Sequence, residues 1–382
     1  MGGALLVPTS LALLSVSSSP NKLGRAIGIW SGATSIASAA GPVLGGYLAQ
    51  HASWRWVFFL NVPLAGAVLF ILAWRVPVIA AIGDRHPVDW KGASLTMIGL
   101  GGVVFGFLQS SLAAGLVGCV ALTVFVLVEW KETSPMLPLS LFKSLDFTGA
   151  CLLTFFLYGA LGGAFYFLPL DLVQVQGYSE TGAGLALLPL ILLVAGLSTS
   201  AGRLLNRFSA KLLLAVGPML SAVGFAYLGF SGVGGSYWSS YFPAITVLGL
   251  GMALTVAPLT TTVMSSVGKD RSGIASGVNN AVARVAGLLT VAIFGLVLAA
   301  VFNTLLDHQL DAAGVPQTER SQIDRSKLAG AGLKGPEGVA VKASFAGGLQ
   351  IVMLLASGLS ALGAASSLLL LGRRKEKRPS QP

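Results

Sequence analysis

Long apolar runs without charged residues recur along the chain and limit what it can fold into. An α-helix needs about 20 such residues to cross the hydrocarbon core of a bilayer. With a shorter run at residues 1–17, the sequence contains about 11 predicted spans by window length. The longer runs lie at 26–49, 54–76, 92–111, 113–129, 147–169, 181–201, 212–232, 238–259, 274–300 and 345–371.

The balance of residue types favours lipid as the solvent. Hydrophobic residues make up 54% of the chain and charged residues only 10%, whereas soluble domains carry about 25% charged residues. Too few polar groups remain to cover a surface that faces water. The sequence therefore predicts an all-α protein, a polytopic bundle of transmembrane helices.

Basic residues lie between the apolar runs in an alternating order. If the first run travels from outside to inside, most of the 24 lysines and arginines fall on the cytoplasmic side, including the tail 373–382. This is the pattern of the positive-inside rule. The net charge of +10 therefore reflects topology and predicts no nucleic-acid partner. We expect a multi-pass membrane protein with its C-terminus in the cytoplasm.

The segment from Gly24 to Pro63 carries small residues on one face of its first helix. Such residues let membrane helices approach closely, and a proline inside the run is expected to bend the helix. Helix packing and a direct role in transport both remain open for this face. The residues concerned are Gly28, Gly32, Gly41, Pro42, Gly45 and Gly46.

The string GPVLGG at 41–46, followed by WRWVFFLNVP at 54–63, resembles the fifth and sixth helices of a known family. This is the 14-helix drug:proton antiporter family (EmrB/QacA-type) of the major facilitator superfamily. The resemblance covers nearly the whole chain and implies that it is N-terminally truncated: residues 1–17 would be the second half of helix four. It also implies proton-driven export of amphipathic or cationic small molecules by alternating access.

The resemblance implies a division of the chain into four parts. They are the remainder of an N-terminal bundle (1–76), an extra helix pair with a central cytoplasmic loop (77–146), a C-terminal six-helix bundle with an outer loop at 303–343 (147–372), and a basic tail (373–382).

One cytoplasmic loop resembles the superfamily pattern GxLxDRxGRR. It reads GRLLNRFSAK at 202–211, with asparagine where the pattern has aspartate. A gate that holds two helix ends together is one interpretation, and an ordinary basic loop is the other. The residues of this predicted gate are Gly202, Arg203, Asn206, Arg207 and Lys211.

Two further positions carry polar groups where hydrocarbon is expected. Asn279, Asn280 and Arg284 lie within one span, and a charge there indicates a functional site or a side chain that reaches the headgroups. Asp171 lies near the outer end of another span. It is either a protonatable group at the outer mouth or a solvated helix end, and the same two interpretations apply to Glu129.

Aromatic and polar residues within the spans have two interpretations: they line a broad amphipathic cavity, or they belong to ordinary packing and interface belts. They are Trp30, Asn61, Gln109, Phe155, Phe156, Tyr158, Phe165, Tyr166, Gln174 and Tyr227.

No motif for metal binding, nucleophilic catalysis or phosphate binding is present in the sequence, so we expect no enzyme and no cofactor, with the proton gradient as the energy source. The expected partners are the lipid bilayer, a small amphipathic substrate and protons. The alternatives are a truncated fragment without transport and a membrane scaffold. Efflux partners in the periplasm or outer membrane are left open.

Overall fold

The computed structural model describes residues 10, 26–27, 29–30, 33–34, 37, 41, 44–48, 51–75, 89–109, 111–132, 135, 137–205, 207–268, 271–312 and 335–372. Helix dominates these residues, and none of them lies in a strand. Within the same ranges, eight helices are long and apolar enough to cross a membrane. The all-α transmembrane fold is therefore confirmed. The predicted spans at 1–17 and 26–49 fall largely outside the described residues.

The helical segment from Trp54 to Arg75 is interrupted at Leu60. It comprises α1 (Trp54–Phe59) and α2 (Asn61–Arg75). Pro63 lacks an N–H group, so the carbonyl of Phe59 loses its partner four residues ahead. The Asn61 side chain donates to the carbonyl oxygens of Val57 (3.5 Å) and Phe58 (3.3 Å) at this break. The window Trp54–Trp74 contains no buried residue.

Two further helices form an antiparallel hairpin. They are α3 (Trp90–Leu108) and α4 (Leu112–Lys131). A Cβ atom on Gly102 would lie 2.9 Å from the Cα atom of Gly118, and one on Gly106 would lie 2.7 Å from that of Gly115. Glycine therefore allows the close backbone contact by which helices associate in lipid.

The remaining helices pack around a shared core. They are α5 (Leu145–Leu170), α6 (Glu180–Ala186), α7 (Leu188–Leu204), α8 (Ala210–Gly229), α9 (Phe242–Ser265), α10 (Ser272–Ala312) and α11 (Pro336–Leu370). Helix α5 packs against α10 and α11, α8 against α9 and α11, and α7 against α9. The largest fully buried side chains in this core are Phe147, Phe225, Tyr241, Phe302 and Phe345.

The two sides of this bundle differ: hydrogen bonds connect helix ends on one side, and π-helical turns extend two helices on the other. On the side that the loop charges predict to be cytoplasmic, Ser144 donates to the carbonyl of Ser266 (3.3 Å), and the Gly372 N–H donates to Asp146 (2.8 Å). On the opposite, outer side, α5 and α9 are extended by π-helical turns at Asp171–Val175 and Tyr237–Tyr241.

The predicted outer loop at 303–343 is shorter than expected, because both flanking helices extend into it. Helix α10 continues to Ala312 and α11 begins at Pro336. The extension of α10 buries Phe302, Leu306 and Leu310, which recur every four residues and so share one helix face. The sequence prediction ends this span at residue 300, because it follows uncharged apolar residues and the extension is amphipathic. Residues 313–334 lie outside the described part.

Candidate functional site

A cavity of about 330 Å³ lies between the described residues near position 30 and helices α5, α7, α9 and α10. Its lining is mostly apolar and aromatic, with a few hydroxyl and amide groups. Met264 and Ser276 place one end of it near the ends of α9 and α10 that the predicted topology puts on the cytoplasmic side. Phe165 and Leu190 place its other end in the outer halves of α5 and α7. The residues used below are Trp30, Tyr158, Phe165, Ser276, Asn279 and Asn280.

The amide groups on α10 make different contacts at the cavity wall. Asn279 Oδ1 accepts a hydrogen bond from Thr154 on α5 (2.7 Å), and Asn280 Nδ2 donates to the carbonyl of Ser276 (2.9 Å). Arg284 follows one turn later and is exposed; within the described ranges it takes part in no ion pair. Asn279 and Asn280 therefore face the cavity, and Arg284 lies just beyond its lining.

Of the aromatic and polar residues predicted to line a cavity, three do so in this structure: Trp30, Tyr158 and Phe165. Tyr166 and Gln174 line a groove between α5, α6 and α7, toward the outer side, which shares Phe165, Leu190 and Ile191 with the cavity. The remaining members of that set do not line this cavity. Thr154 was missed by sequence reasoning, since a threonine in an apolar run carries no signal for a partner on another helix.

The predicted antiporter segment meets α6 at its outer end. A Cβ atom on Gly46 would lie 2.9 Å from the carbonyl oxygen of Glu180 and 3.2 Å from the Cα atom of Thr181, whereas one on Gly41 or Gly45 would meet nothing within 4 Å. Gly46 therefore marks a direct contact between this segment and the C-terminal helices. Gly28, Gly32 and Pro42 lie outside the described residues, as does the expected bend.

The predicted cytoplasmic gate loop connects α7 to α8. The Arg207 and Phe208 N–H groups donate to the Leu204 carbonyl (2.9 and 2.8 Å), and the Ser209 hydroxyl caps α8 by accepting from the Leu212 N–H (3.3 Å).

Gly202 and Arg203 lie in the last turn of α7, and Lys211 lies in the first turn of α8. In the described part of the chain, Arg203, Arg207 and Lys211 form no ion pair. Asn206 is not described, so the gating role stays a prediction.

Asp171 is not a solvated helix end. Its side chain is only 1% exposed. Oδ2 accepts hydrogen bonds from Tyr241 Oη (2.7 Å) and Gln176 Nε2 (3.4 Å). The structure therefore places a buried carboxyl group at the outer ends of α5 and α9.

Glu129 is also buried, with 2% exposure, and its Oε2 accepts from the Leu137 N–H (3.2 Å). This contact connects the end of α4 to the segment that leads into α5. Asp89 caps α3 nearby by accepting from the Gly92 N–H (2.8 Å). A solvated position for Glu129 is therefore wrong, because Leu137 and the start of α3 at Gly92 lie against it.

Residues 1–291 match the family described as Major Facilitator Superfamily. The chain belongs to the major facilitator superfamily. The close helix packing, the cavity and the small-residue contacts described above are therefore features of a member of this superfamily. The resemblance read from residues 41–63 is confirmed.

Superfamily relatives of this chain include several export and resistance proteins. It is 30% identical to the "Tetracenomycin C resistance and export protein" of Streptomyces glaucescens over 96% of this chain and 72% of that protein. It is 31% identical to the "Multidrug resistance protein Stp" of Mycobacterium tuberculosis, covering 82% of this chain and 60% of the relative. It is 29% identical to the "Multidrug export protein EmrB" of Escherichia coli, covering 75% and 58%. The chain thus spans less than two thirds of the last two relatives.

Proposed function

We propose that this chain acts in the export of amphipathic or cationic small molecules, driven by proton antiport. The cavity is the observation that carries this proposal. An apolar and aromatic lining with a few polar groups suits amphipathic ligands, and the faces of Trp30 and Tyr158 can attract a cation. The names of the similar proteins, which refer to drug resistance and export, support the same function.

Alternating access is the mechanism that this geometry supports. The cavity extends from the middle of the bundle to near the cytoplasmic ends of α9 and α10, while Gly46 and Glu180 are in contact at the outer side. A substrate would enter from the cytoplasm and leave after the outer contact opens and the inner side closes. The energy source is the proton gradient, and we propose no cofactor.

We place the protein in a bacterial inner membrane with a cytoplasmic C-terminus. The basic residues support this proposal, because most of them lie in every second loop and so on one side of the membrane, as the positive-inside rule requires. The proposed partners are the bilayer, the substrate and protons. Nucleic acid has no part in it, because the positive charge is scattered between spans.

Export is tested by loading cells with ethidium and following its loss by fluorescence. Cells that express the chain should lose ethidium faster than vector controls, and a protonophore should abolish the difference. Thr154→Val removes the hydrogen bond to Asn279 at the cavity wall. Asn279 then loses the partner that orients its amide at the wall, so KM for export should rise; weaker substrate binding by about 1 kcal/mol corresponds to about a fivefold higher KM.

Thr123→Val is the matched control. Thr123 lies on the exposed face of α4, and its hydroxyl donates to the Cys119 carbonyl within the same helix (2.9 Å). The control should leave KM unchanged. Equal KM values for both variants would remove the cavity from the substrate path.

A membrane fragment or scaffold without transport is the second candidate. One observation favours it: Trp54–Trp74 buries none of its residues, so in the described part α1 and α2 have no closely packed helical neighbour. This candidate predicts ethidium retention equal to the vector control, with no response to protonophore. That result would overturn the export proposal.

A further inference from the structure

Asp171 has one satisfied and one unsatisfied oxygen in a closed environment. Oδ2 receives the hydrogen bonds from Tyr241 and Gln176. Oδ1 is also buried, yet it has no hydrogen-bond partner in the part of the chain that the structure describes. The two oxygens of one carboxyl group therefore have very different surroundings.

This asymmetry fits a neutral carboxylic acid. An ionised carboxylate only accepts hydrogen bonds and offers about four lone-pair sites on its two oxygens. A buried charge with one bare oxygen is costly. A proton on Oδ1 removes the charge and leaves Oδ2 as a carbonyl-type acceptor for both donors, so that only one neutral O–H group lacks a partner.

Gln176 covers Asp171 on the side of the outer loop between α8 and α9. Its Nε2 atom also donates to the Gly232 carbonyl (2.9 Å), while its Oε1 atom accepts from the Gly234 N–H (2.9 Å). The amide thus connects Asp171 to two backbone groups of that loop. We refer to Asp171, Gln176 and Tyr241 together as the outer latch.

The outer latch connects the elements that close the outer side. The Tyr178 N–H donates to the Leu172 carbonyl (2.9 Å), and Tyr237 Oη donates to the Ala186 carbonyl (2.9 Å). The chain from Asp171 leads within nine residues to Glu180, whose carbonyl meets Gly46. Opening the latch therefore disturbs the helix that contacts the antiporter segment.

We propose that Asp171 binds a proton when the outer side is closed and releases it to external water when the outer latch opens. The O–H bond at Oδ1 breaks in that step, the proton passes to water, and the carboxylate becomes hydrated. Because the proton binds the closed form more tightly, external acidity favours the closed form. If the proton binds the closed form about tenfold more tightly than the open form, the closed-to-open ratio rises by up to about tenfold as the pH falls.

Few other ionisable groups take part in this site. Tyr241 donates to Asp171, and Tyr178 lies close enough to Tyr241 to interact electrostatically with it. Helix α6 begins with Glu180, which is exposed, and α11 carries Glu337 and Lys342 at partly buried positions. Within the described ranges, none of these three forms an ion pair or hydrogen bond with Asp171.

The protonation state is tested by infrared difference spectroscopy on the full chain in nanodiscs. The C=O band of a protonated carboxyl group should be present at neutral pH and missing in Asp171→Asn. Asp311→Asn, which alters an exposed acid at the outer end of α10, is the matched control and should keep the band. Identical spectra for the wild type and Asp171→Asn would overturn the proposal.

Closure is measured separately by spin labels on the exposed residues Ala52 and Val233, after Cys119 and Cys151 have been replaced by alanine. The wild-type distance distribution should shift toward the closed form as the pH falls. Asp171→Asn, which mimics the neutral acid, should remain closed at all pH values, and Gln176→Ala should favour the open form. A wild-type distribution that ignores pH would overturn the latch.

Neither measurement uses a substrate. An export failure in the ethidium assay with an intact pH response would overturn the proposed function alone. Normal export without the carboxyl band would overturn the latch alone.

Discussion

Gly46 shows how one missing side chain allows two parts of the molecule to touch. Its backbone approaches the Glu180 carbonyl so closely that a Cβ atom would lie 2.9 Å away. Contacts this short involve backbone on both sides and cannot be relieved by a rotamer change. This contact is therefore possible only with glycine at position 46, and we expect it to matter for the proposed closure of the outer side.

Gly46→Leu should keep the outer side open. The added side chain would push α6 away from the antiporter segment, so export should fall about fivefold or more, since a misfit of this kind costs about 1–3 kcal/mol. The measurement is the distance between spin labels at positions 52 and 233, together with ethidium export.

Gly66→Leu is the matched control, because a Cβ atom on Gly66 meets nothing within 4 Å. It should leave the distance between the two spin labels unchanged. Equal distances in Gly46→Leu and Gly66→Leu would show that the Gly46 contact does not close the outer side.

At this scale the sequence predicts which residues are unusual, but not what surrounds them. Asn279 and Asn280 are unusual because they are polar within an apolar span, but only the structure shows that both line the cavity. Asp171 had two interpretations in the sequence, since its partner Tyr241 is 70 positions away and burial depends on how α5 and α9 pack. Thr154 and Asn279, 125 positions apart, could not be paired for the same reason.

Apolar windows predict the helices well because in lipid each helix satisfies its own backbone. They fail at the helix ends, where amphipathic turns continue past the hydrocarbon. Helix α10 has 41 residues, or about 60 Å at 1.5 Å per residue, twice the roughly 30 Å of the bilayer core. Its outer turns are held by packing of Phe302, Leu306 and Leu310, which a window search does not see.

The contact between α5 and α10 depends on small residues and gives a test at the element scale. A Cβ atom on Gly162 would lie 2.6 Å from the Cα atom of Gly287. Gly162→Ala should therefore separate the two helices and lower the free energy of unfolding by about 1–3 kcal/mol. Thermal unfolding of the purified protein in detergent measures the effect.

Gly101→Ala provides the comparison for that experiment. Gly101 lies on the exposed face of α3, and a Cβ atom there meets nothing within 4 Å. Because alanine favours helix over glycine, this control should be neutral or slightly stabilising. A melting temperature for Gly162→Ala equal to that of Gly101→Ala would show that the bundle tolerates a wider spacing between α5 and α10.

For the whole molecule, charge and helix length together predict the orientation. Helix α8 has 20 residues, about 30 Å long, which matches one bilayer core. It begins just after the basic loop with Arg203 and Arg207 and ends before the uncharged loop with Val233. The positive-inside rule assigns the first loop to the cytoplasm.

The orientation predicts opposite labelling of these two loops. In a background without Cys119 and Cys151, Val233→Cys should react with an impermeant maleimide in intact cells, since Val233 is exposed at the outer end of the bundle. Arg207→Cys should react only after the membrane is permeabilised, because Arg207 is exposed on the other side. If both loops are labelled from outside, the predicted alternation of cytoplasmic and outer loops is wrong. The reverse pattern would turn the bundle over, so that the cavity would open outward and the outer latch would face the cytoplasm.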